Sequence, residues 1–269
     1  MEQPGFNTVI LSDLHLGSDV SRAKAALETL RSISFQRLIL LGDIFCDLNF
    51  GRLKKEHWQF LGYIRKLSNP KRNIEVVWVE GNHDRGLCEV MSHLVGVKVY
   101  QEYMWEYRGL LHLAIHGHQF DRFVLGNMPL SKLLTWIYLQ VQKLDFGQKR
   151  IAGCFDRIDT YWLRLSKKVA EGALRHADAR GAHRVFCGHT HEAMQMKNQE
   201  VEYFNTGSWT QAAATFVTIG EEGVRIHAYD ERVDHRNPCE ERSEDDSAFA
   251  DFASAPGLPG DLEYEGVPG

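Results

Sequence analysis

Residues 7–13, "NTVILSD", form an uninterrupted apolar run that ends in an acidic residue. Two further runs of the same kind follow, "RLILLGD" at 37–43 and "IEVVWVEGN" at 74–82. Helical patterns separate the three runs; one begins after Ser21, a candidate N-cap, and the other at Leu53. Strands that are buried on both faces read as continuous apolar runs, so this alternation predicts a parallel sheet covered by helices.

The second half of the chain carries shorter apolar runs that lie closer together. These runs are residues 97–100, 103–109, 110–118, 183–189, 193–197, 201–207, 214–220 and 223–230. Such spacing is typical of hairpins and mixed sheets. We therefore expect an α/β sandwich with a mixed β half, folded as one domain over residues 1–236.

A segment at about 128–181 fits neither half and is predicted to be a helical insertion. Its first helix, "MPLSKLLTWIYLQVQKL" at 128–144, is apolar nearly all round. Its second, at roughly 155–179, is amphipathic and carries several basic residues. A helix that is apolar all round must be buried, self-associated or in contact with lipid. Burial as a core helix against the sheet stays open as the alternative.

Charge is distributed unevenly along the chain. The formal net charge is -5, but residues 237–269 alone hold nine acids against one base, Arg242, so the remaining body is mildly basic at +3. The acidic segment also has four prolines and little that could pack, which predicts a disordered tail. A mildly basic body suits an anionic substrate.

The compartment is expected to be the cytoplasm. The five cysteines are scattered without CxxC spacing, which is typical of reduced thiols. The first residues lack the basic and apolar regions of a signal peptide, and no apolar stretch is long enough to span a bilayer.

The residues that carry chemistry stand at the ends of the predicted strands. They are Asp13 and His15, Asp43, Asn82 with His83 and Asp84, His116, and His189 with His191. Residues i and i+2 of a strand share a face, and ligands of open α/β sheets bind outside the carboxyl ends of the strands. We therefore expect these side chains to converge.

The types of these side chains indicate a metal centre. Carboxylates, an amide oxygen and imidazoles without any thiolate suit Mn²⁺, Fe²⁺, Co²⁺ or Zn²⁺ rather than a structural zinc site. A carboxylate shared by two such ions makes a two-metal hydrolytic centre. Single histidines in turns are usually structural, but five motifs at strand ends are not expected by chance.

The order D-x-H, G-D, G-N-H-D, H, G-H-x-H resembles the calcineurin-like metallophosphoesterase superfamily, over residues 9–209. The resemblance implies a four-layer α/β/β/α sandwich of mixed sheets and two divalent transition-metal ions, with Mn²⁺ favoured. It implies the following ligands: Asp13, His15, Asp43 and His191 for the first metal, and a bridging Asp43 with Asn82, His116 and His189 for the second. It also implies that His83, oriented by Asp84, contacts the phosphate and protonates the leaving oxygen.

Other polar residues near these motifs receive weaker interpretations. His118 lies on the face of His116 and is a candidate supporting residue. Asn205 and Ser208 resemble a turn that follows G-H-x-H in relatives, and a plain turn is the alternative. The remaining histidines are expected to be core or surface residues.

Within the superfamily, "HGHQFD", the helical insertion after it and "FNTGSW" resemble the branch of UDP-2,3-diacylglucosamine pyrophosphatase, an enzyme of lipid A synthesis. In that branch the inserted helices form a cap that receives acyl chains. The resemblance implies a nucleotide-linked or lipid-linked substrate and contact of the cap, about 128–181, with the inner face of the membrane.

Two alternatives stay open. One is a phosphodiesterase or phosphatase that acts on soluble substrates. The other is a non-catalytic scaffold that uses the same fold to bind proteins. Nucleic acid is not favoured, because no basic stripe with interleaved aromatic residues is present beyond the cap.

Overall fold

A computed structural model describes residues 5–86, 90, 92–93, 95–121, 152–211 and 213–229, with residues 152–164 described by their backbone alone. Its helices of more than one turn are α1 (Ala23–Ser32), α2 (Lys55–Leu67) and α3 (Ala152–Ala179). Its strands are β1 (Gly5–Leu11), β2 (Ser34–Leu41), β3 (Glu75–Val79), β4 (Val99–Tyr100), β5 (Glu102–Tyr107), β6 (Leu110–Ile115), β7 (Arg184–Cys187), β8 (Met194–Lys197), β9 (Glu202–Asn205), β10 (Thr215–Gly220) and β11 (Gly223–Ala228).

The first sheet has the strand order β11-β10-β1-β2-β3-β4. β1, β2, β3 and β4 pair in parallel, with Val9 opposite Leu38 and Ile39 opposite Val77. β10 and β11 add two antiparallel strands beside β1. The predicted parallel sheet is thus confirmed, because α1 and α2 provide the crossovers that parallel neighbours require.

The second sheet has the order β5-β6-β7-β9-β8 and is also mixed. Its central strands β6, β7 and β9 are parallel, and β5 and β8 flank them in antiparallel orientation. The carboxyl ends of β6 and β7 therefore lie at one edge, which brings the residues after them together.

Three apolar clusters separate four layers. α1 and α2 cover one face of the first sheet, with Leu30 and Ile64 fully buried against it. Ile10 and Ile39 of the first sheet belong to a cluster with Phe186 of the second, which fills the space between the sheets. α3 covers the outer face of the second sheet. The predicted four-layer sandwich of mixed sheets is confirmed.

The second predicted helix of the insertion exists, but part of it belongs to the sandwich. In α3, Val169, Ala170 and Ala173 are completely buried, and Ala170 and Ala173 belong to the cluster that includes Leu113 of β6 and Val185 of β7. The second half of α3 is therefore an outer layer of the fold, and the bounds of the predicted cap, about 128–181, stay a prediction. The opposite face of α3 exposes charges of both signs, the bases Lys167, Lys168 and Arg175 together with the acids Glu171 and Asp178.

Two other predicted segments lie outside the described residues, the apolar helix at 128–144 and the acidic tail at 237–269. Within the part of the chain that the structure describes, no helix combines the length and the apolar character that crossing a membrane requires.

The expected N-cap at Ser21 is wrong. α1 begins at Ala23, and Arg22 in the N-cap position makes no capping hydrogen bond through its side chain. The Ser21 hydroxyl instead donates to the carbonyl of Leu14, at 2.7 Å. This bond ties the start of α1 to the loop that follows β1.

His57 links the same loop to α2. Its Nδ1 accepts hydrogen bonds from the backbone N–H of Gly17, at 3.2 Å, and of Lys54, at 3.1 Å. Only 1% of the residue is exposed. Burial lowers the pKa of His57, so that the ring stays neutral at pH 7 and Nδ1 keeps the lone pair that both donors need.

We expect His57→Leu to lower the free energy of unfolding by at least about 2 kcal/mol, because two backbone donors lose their acceptor. His57→Asn should recover about half of that loss, since an amide oxygen can replace Nδ1. Urea denaturation measures both, with Gln59→Leu at an exposed position of the same helix as the control. Equal losses in the Leu and Asn variants would contradict the hydrogen-bonding role.

Candidate metal centre

The loops that follow β1 and β2 stay hydrogen-bonded to each other after the strands end. The backbone N–H of Asp13 donates to the carbonyl of Gly42, that of His15 to Asp43, and that of Leu16 to Ile44, at 3.1, 3.0 and 2.7 Å. The parallel pairing of the two strands is thus prolonged into the loops. These hydrogen bonds fix the positions of Asp13 and His15 relative to Asp43 along the direction of the strands.

Three predicted ligands form a first cluster, namely Asp13, His15 and His191, with ligand atoms within 4.8 Å of one another. The Nε2 of His191 lies 3.1 Å from Oδ1 of Asp13 and 3.2 Å from Nε2 of His15. Two imidazole nitrogens and a carboxylate oxygen that converge in this way can direct lone pairs at one point. A cation satisfies that arrangement better than a single proton can.

A second cluster consists of Asp43, His116 and His189, whose ligand atoms also lie within 4.8 Å of one another. The Nε2 of His116 lies 3.3 Å from Oδ2 of Asp43. Its Nδ1 is 2.9 Å from the carbonyl of Leu41, and because a carbonyl can only accept, Nδ1 carries the proton and Nε2 is left to bind a metal. The bridging position of Asp43 between the two clusters stays a prediction.

Unpaired buried atoms show that the residues fit metal ions. Oδ1 of Asp13, Oδ1 of Asn82 and Nε2 of His116 are buried and have no hydrogen-bond partner. Buried polar atoms are almost always paired, so these three atoms, at predicted ligand residues, fit the role of metal ligands. Oxygen and imidazole donors without thiolate match divalent transition metals.

The ligand residues also share an unusual backbone conformation. Among the described residues, seven that are not glycine have positive φ, and five of these are predicted ligands. The five are Asp13 (φ 51°), His15 (48°), Asp43 (51°), His189 (68°) and His191 (58°). The left-handed region is unfavourable for residues with a Cβ, and such strain is concentrated at functional sites.

Two glycines let the loops approach closely enough to build the clusters. A Cβ on Gly81 would overlap the backbone nitrogen and Oδ1 of Asp43, and one on Gly188 would overlap Oδ2 of Asp13. The G-N-H-D and G-H-x-H motifs therefore begin with glycine because the carboxylates of neighbouring loops occupy that space.

The carboxylates of the two clusters, Asp13 and Asp43, are held in their charged form. Burial alone would raise the pKa of Asp43, but the charges of His116 and His83 outweigh burial and bring that pKa well below its usual range. The pKa of Asp13 is likewise lowered, since His191 overcomes the opposing effect of burial. The site thus contains two fixed negative charges at neutral pH, which favours binding of cations.

The two fully buried imidazoles differ in their electrostatics. Burial and the neighbouring His83 and His191 lower the pKa of His15 to about 3, which leaves its lone pair available. Burial opposes the charge of His116, but Asp43 raises the pKa of that ring to about 9. In the absence of a metal ion, a proton on His116 therefore neutralises part of the charge of Asp43.

His83 lies beside the second cluster. Its backbone N–H donates to Oδ1 of Asp43 at 2.8 Å, and its Nε2 lies 4.0 Å from Oδ2 of the same residue. Its Nδ1 donates to the carbonyl of Cys46, at 2.6 Å. The Cys46 carbonyl thus fixes the ring so that Nε2 faces the carboxylate. This carbonyl was not among the predicted site groups, because backbone atoms have no sequence signature.

The orienting role expected for Asp84 is wrong in its geometry. Asp84 is buried, and its carboxylate accepts the backbone N–H groups of Ile44 and Phe45, at 3.1 and 2.9 Å. Burial and the nearby charge of Asp43 raise the pKa of Asp84 to about 6, although the two backbone hydrogen bonds oppose this. Asp84 therefore positions the loop that carries Asp43 and does not hold the ring of His83.

Asn205 fixes the loop of the G-H-x-H motif. It is fully buried, and its Nδ2 donates to the carbonyl of Gly188 and to Oγ1 of Thr190, at 2.8 and 3.1 Å. Its Oδ1 accepts the N–H of Gly207 at 2.9 Å. Of the two roles open for Asn205, support of the site and a plain turn, these contacts favour support of the site.

Two more of the described residues, His118 and Asp121, lie beside the second cluster. The ring of His118 lies 5.5 Å from that of His116 between centroids, and its buried Nδ1 has no partner. Burial lowers the pKa of His118 to about 3, with the charges of His116 and His189 acting in the same direction. Asp121, to which the sequence analysis assigned no role, contacts His189 through its carboxylate.

Solved structures of low sequence identity resemble the chain. An archaeal phosphodiesterase is 16% identical with a TM-score of 0.46, and the match covers 82% of this chain and 98% of that one. Vps29 from Entamoeba histolytica, as a single mutant, is 13% identical with a TM-score of 0.42 over 82% and 97% of the two chains. A predicted phosphoesterase from Streptococcus pneumoniae is 14% identical with a TM-score of 0.35 over 85% and 99%.

No curated protein matches the chain significantly. The model of the calcineurin-like phosphoesterase superfamily domain, however, matches residues 6–220. The match includes both clusters, Asn82, His83 and the loops that position them. The chain therefore belongs to the calcineurin-like phosphoesterase superfamily and is a metallophosphoesterase.

Proposed function

We propose that the protein uses two divalent transition-metal ions, with Mn²⁺ favoured, to hydrolyse a phosphodiester or pyrophosphate bond in a nucleotide-linked or lipid-linked substrate. UDP-2,3-diacylglucosamine is the substrate that we test first. The observation that carries the proposal is the pair of ligand clusters, each with a buried carboxylate and two imidazoles, beside the free Nε2 of His83.

The residues that would hold the ions are those of the two clusters together with Asn82, whose unpaired Oδ1 is the further donor. When bound, the ions would act as Lewis acids on the phosphate oxygens and lower the pKa of a water nucleophile. Asp13 and Asp43, ionised at neutral pH, would balance the positive charge.

His83 would supply the proton that the leaving oxygen needs. Nδ1 is engaged by the Cys46 carbonyl, so the proton must leave from Nε2, which faces the cluster. A ring that acts as an acid must be protonated on both nitrogens before the step and neutral, with the proton kept on Nδ1, after it. An alkoxide leaving group gains most from this transfer.

The substrate class is supported by the sequence and by one face of α3. The apolar segment at 128–144 suits an acyl chain. The exposed Lys167, Lys168 and Arg175 outnumber the exposed acids of the same face, Glu171 and Asp178, and suit an anionic head group or membrane surface. A cytoplasmic protein that docks peripherally on the inner face of the membrane would meet such a substrate. We do not propose nucleic acid as a partner.

Asp43→Ala should abolish phosphodiester hydrolysis and lower the number of Mn²⁺ ions bound per chain, because the second cluster loses its only carboxylate. Elemental analysis after Mn²⁺ loading, together with initial rates on bis(p-nitrophenyl) phosphate, measures both effects. Circular dichroism checks that the fold is retained.

Asp47→Ala is the matched control, since its carboxylate lies four residues later in the same loop and is exposed. It should keep the wild-type metal content and rate. Full activity in Asp43→Ala, or a wild-type protein that binds no metal, would contradict the proposal.

His83→Ala should keep both metal ions and lower kcat by roughly 10²–10⁴ for a substrate with an alkoxide leaving group. The loss should be smaller for a p-nitrophenyl ester, since p-nitrophenolate leaves without a proton. Steady-state rates for the two substrate types separate proton donation from phosphate binding.

His93→Ala, at an exposed histidine, serves as the control and should leave both rates unchanged. An equal loss for the two leaving groups would show that His83 positions the phosphate only. A loss of metal would show that it supports the ligands.

The protein should release UMP and the acylated sugar 1-phosphate from UDP-2,3-diacylglucosamine. Each buried methylene contributes about 0.8 kcal/mol, so kcat/KM should exceed that for UDP-N-acetylglucosamine at least about 10³-fold. Chromatographic detection of UMP measures both substrates.

The two alternatives give different results in that assay. Equal rates on both nucleotide sugars, or activity on a small diester alone, would favour a soluble substrate. A protein that binds metal but hydrolyses none of these compounds would favour a protein-binding scaffold.

A further inference from the structure

The carboxylate of Asp121 lies against the second cluster without being one of its predicted ligands. Its Oδ2 is 3.2 Å from Nε2 of His189, and only 3% of the residue is exposed. His189 in turn belongs to the cluster with Asp43 and His116. A buried acid at this distance from a ligand ring affects how that ring can bind.

A short, tightly packed turn delivers Asp121 to this position. The 3-10 turn His118–Phe120 follows Gly117, and the backbone N–H of Asp121 closes it by donating to the carbonyl of His118, at 3.1 Å. Phe120 packs on α3 so closely that a Cβ added at Gly172 would lie 2.8 Å from its Cβ. The segment that supplies His116 thus returns to the site five residues later.

The chemistry of the contact decides which nitrogen of His189 can bind a metal. A hydrogen bond across the 3.2 Å between Nε2 and Oδ2 of Asp121, with the carboxylate as acceptor, places the proton on Nε2. In the neutral ring the lone pair then lies on Nδ1. The backbone N–H of His189 donates to Oδ2 of Asp13, at 3.0 Å, so both the backbone and the ring are fixed.

His116 shows the same arrangement with the nitrogens exchanged. Its Nδ1 donates to the Leu41 carbonyl, and its Nε2 faces Oδ2 of Asp43, a fellow member of the cluster, at 3.3 Å. Both imidazoles of the second cluster therefore have one nitrogen occupied by a buried acceptor. Such partners set the tautomer and raise the basicity of metal-ligating histidines.

We propose that Asp121 is the positioning residue that holds His189 as its Nε2–H tautomer and so assigns Nδ1 to the metal of the second cluster. The inference rests on the proposed metal binding at that cluster. Asp121 acts through His189 and is not itself a ligand.

The first test uses the metal-free wild-type protein. Long-range ¹H–¹⁵N correlation spectra of the histidine rings at pH 8, with His189 assigned by comparison with His189→Gln, show which nitrogen carries the proton. We expect Nε2–H for His189. A proton on Nδ1 would overturn the inference, and this result does not depend on hydrolysis or on metal binding.

The second test measures Mn²⁺ affinity by calorimetry. Asp121→Ala should weaken one of the two sites by roughly 10–100-fold and give a mixture of tautomers at His189. Asp121→Asn, whose amide oxygen still accepts from Nε2, should keep the tautomer and lose less affinity. Asp178→Ala removes an exposed acid from α3 and should change neither quantity.

The outcomes separate this inference from the proposed function. Wild-type affinity at both sites in Asp121→Ala would overturn it, and a loss of affinity with an unchanged tautomer would replace it by direct ligation. If Asp121→Ala does not fold, the wild-type spectrum and the Asn variant decide. A wild-type protein that binds no Mn²⁺ would remove the proposed function while leaving the tautomer of His189 measurable.

Discussion

A ladder of backbone hydrogen bonds that continues past the ends of β1 and β2 is the constraint on which the site depends. It pairs Asp13, His15 and Leu16 with the loop of Asp43, and the buried carboxylate of Asp84 also holds that loop, through the backbone N–H groups of Ile44 and Phe45. Because the loops cannot slide, the side chains that they carry keep a fixed separation. The metal centre is thus an extension of the sheet into residues that are no longer strand.

This construction has an energetic consequence. Left-handed backbone at residues with a Cβ costs of order 1–3 kcal/mol each, and here it occurs at five predicted ligands. The buried carboxylates and imidazoles add repulsion and desolvation, which bound cations would relieve. The three apolar clusters of the sandwich offset this local instability. The apolar clusters therefore supply the stability of the molecule, and the loops at the edge of the sheets supply its capacity to bind metal.

Much of this arrangement could be predicted because it follows from local patterns. Continuous apolar runs such as residues 7–13 identify parallel strands, and the spacing of Asp13 with His15 and of His189 with His191 identifies paired side chains at strand ends. The roles of Asp84 and Asp121 could not be predicted, because their partners lie 39–40 and 68 residues away in the sequence. Two backbone acceptors were equally unpredictable, the carbonyl of Cys46, which binds His83, and that of Leu14, which binds the Ser21 hydroxyl. Every residue carries the same carbonyl, so the sequence gives no sign of which one accepts a side-chain hydrogen bond.

Gly81 and Gly188 lie so close to the carboxylates of Asp43 and Asp13 that neither position should tolerate a substitution. Even a single methyl group at either position would occupy the space of a carboxylate from a neighbouring loop. A random library screened for activity would therefore lose function at two positions whose residues have no side chain to bind a metal, carry a charge or transfer a proton. Directed evolution toward new substrates would have to leave these two positions fixed and draw its variation from segments further from the sheet edge.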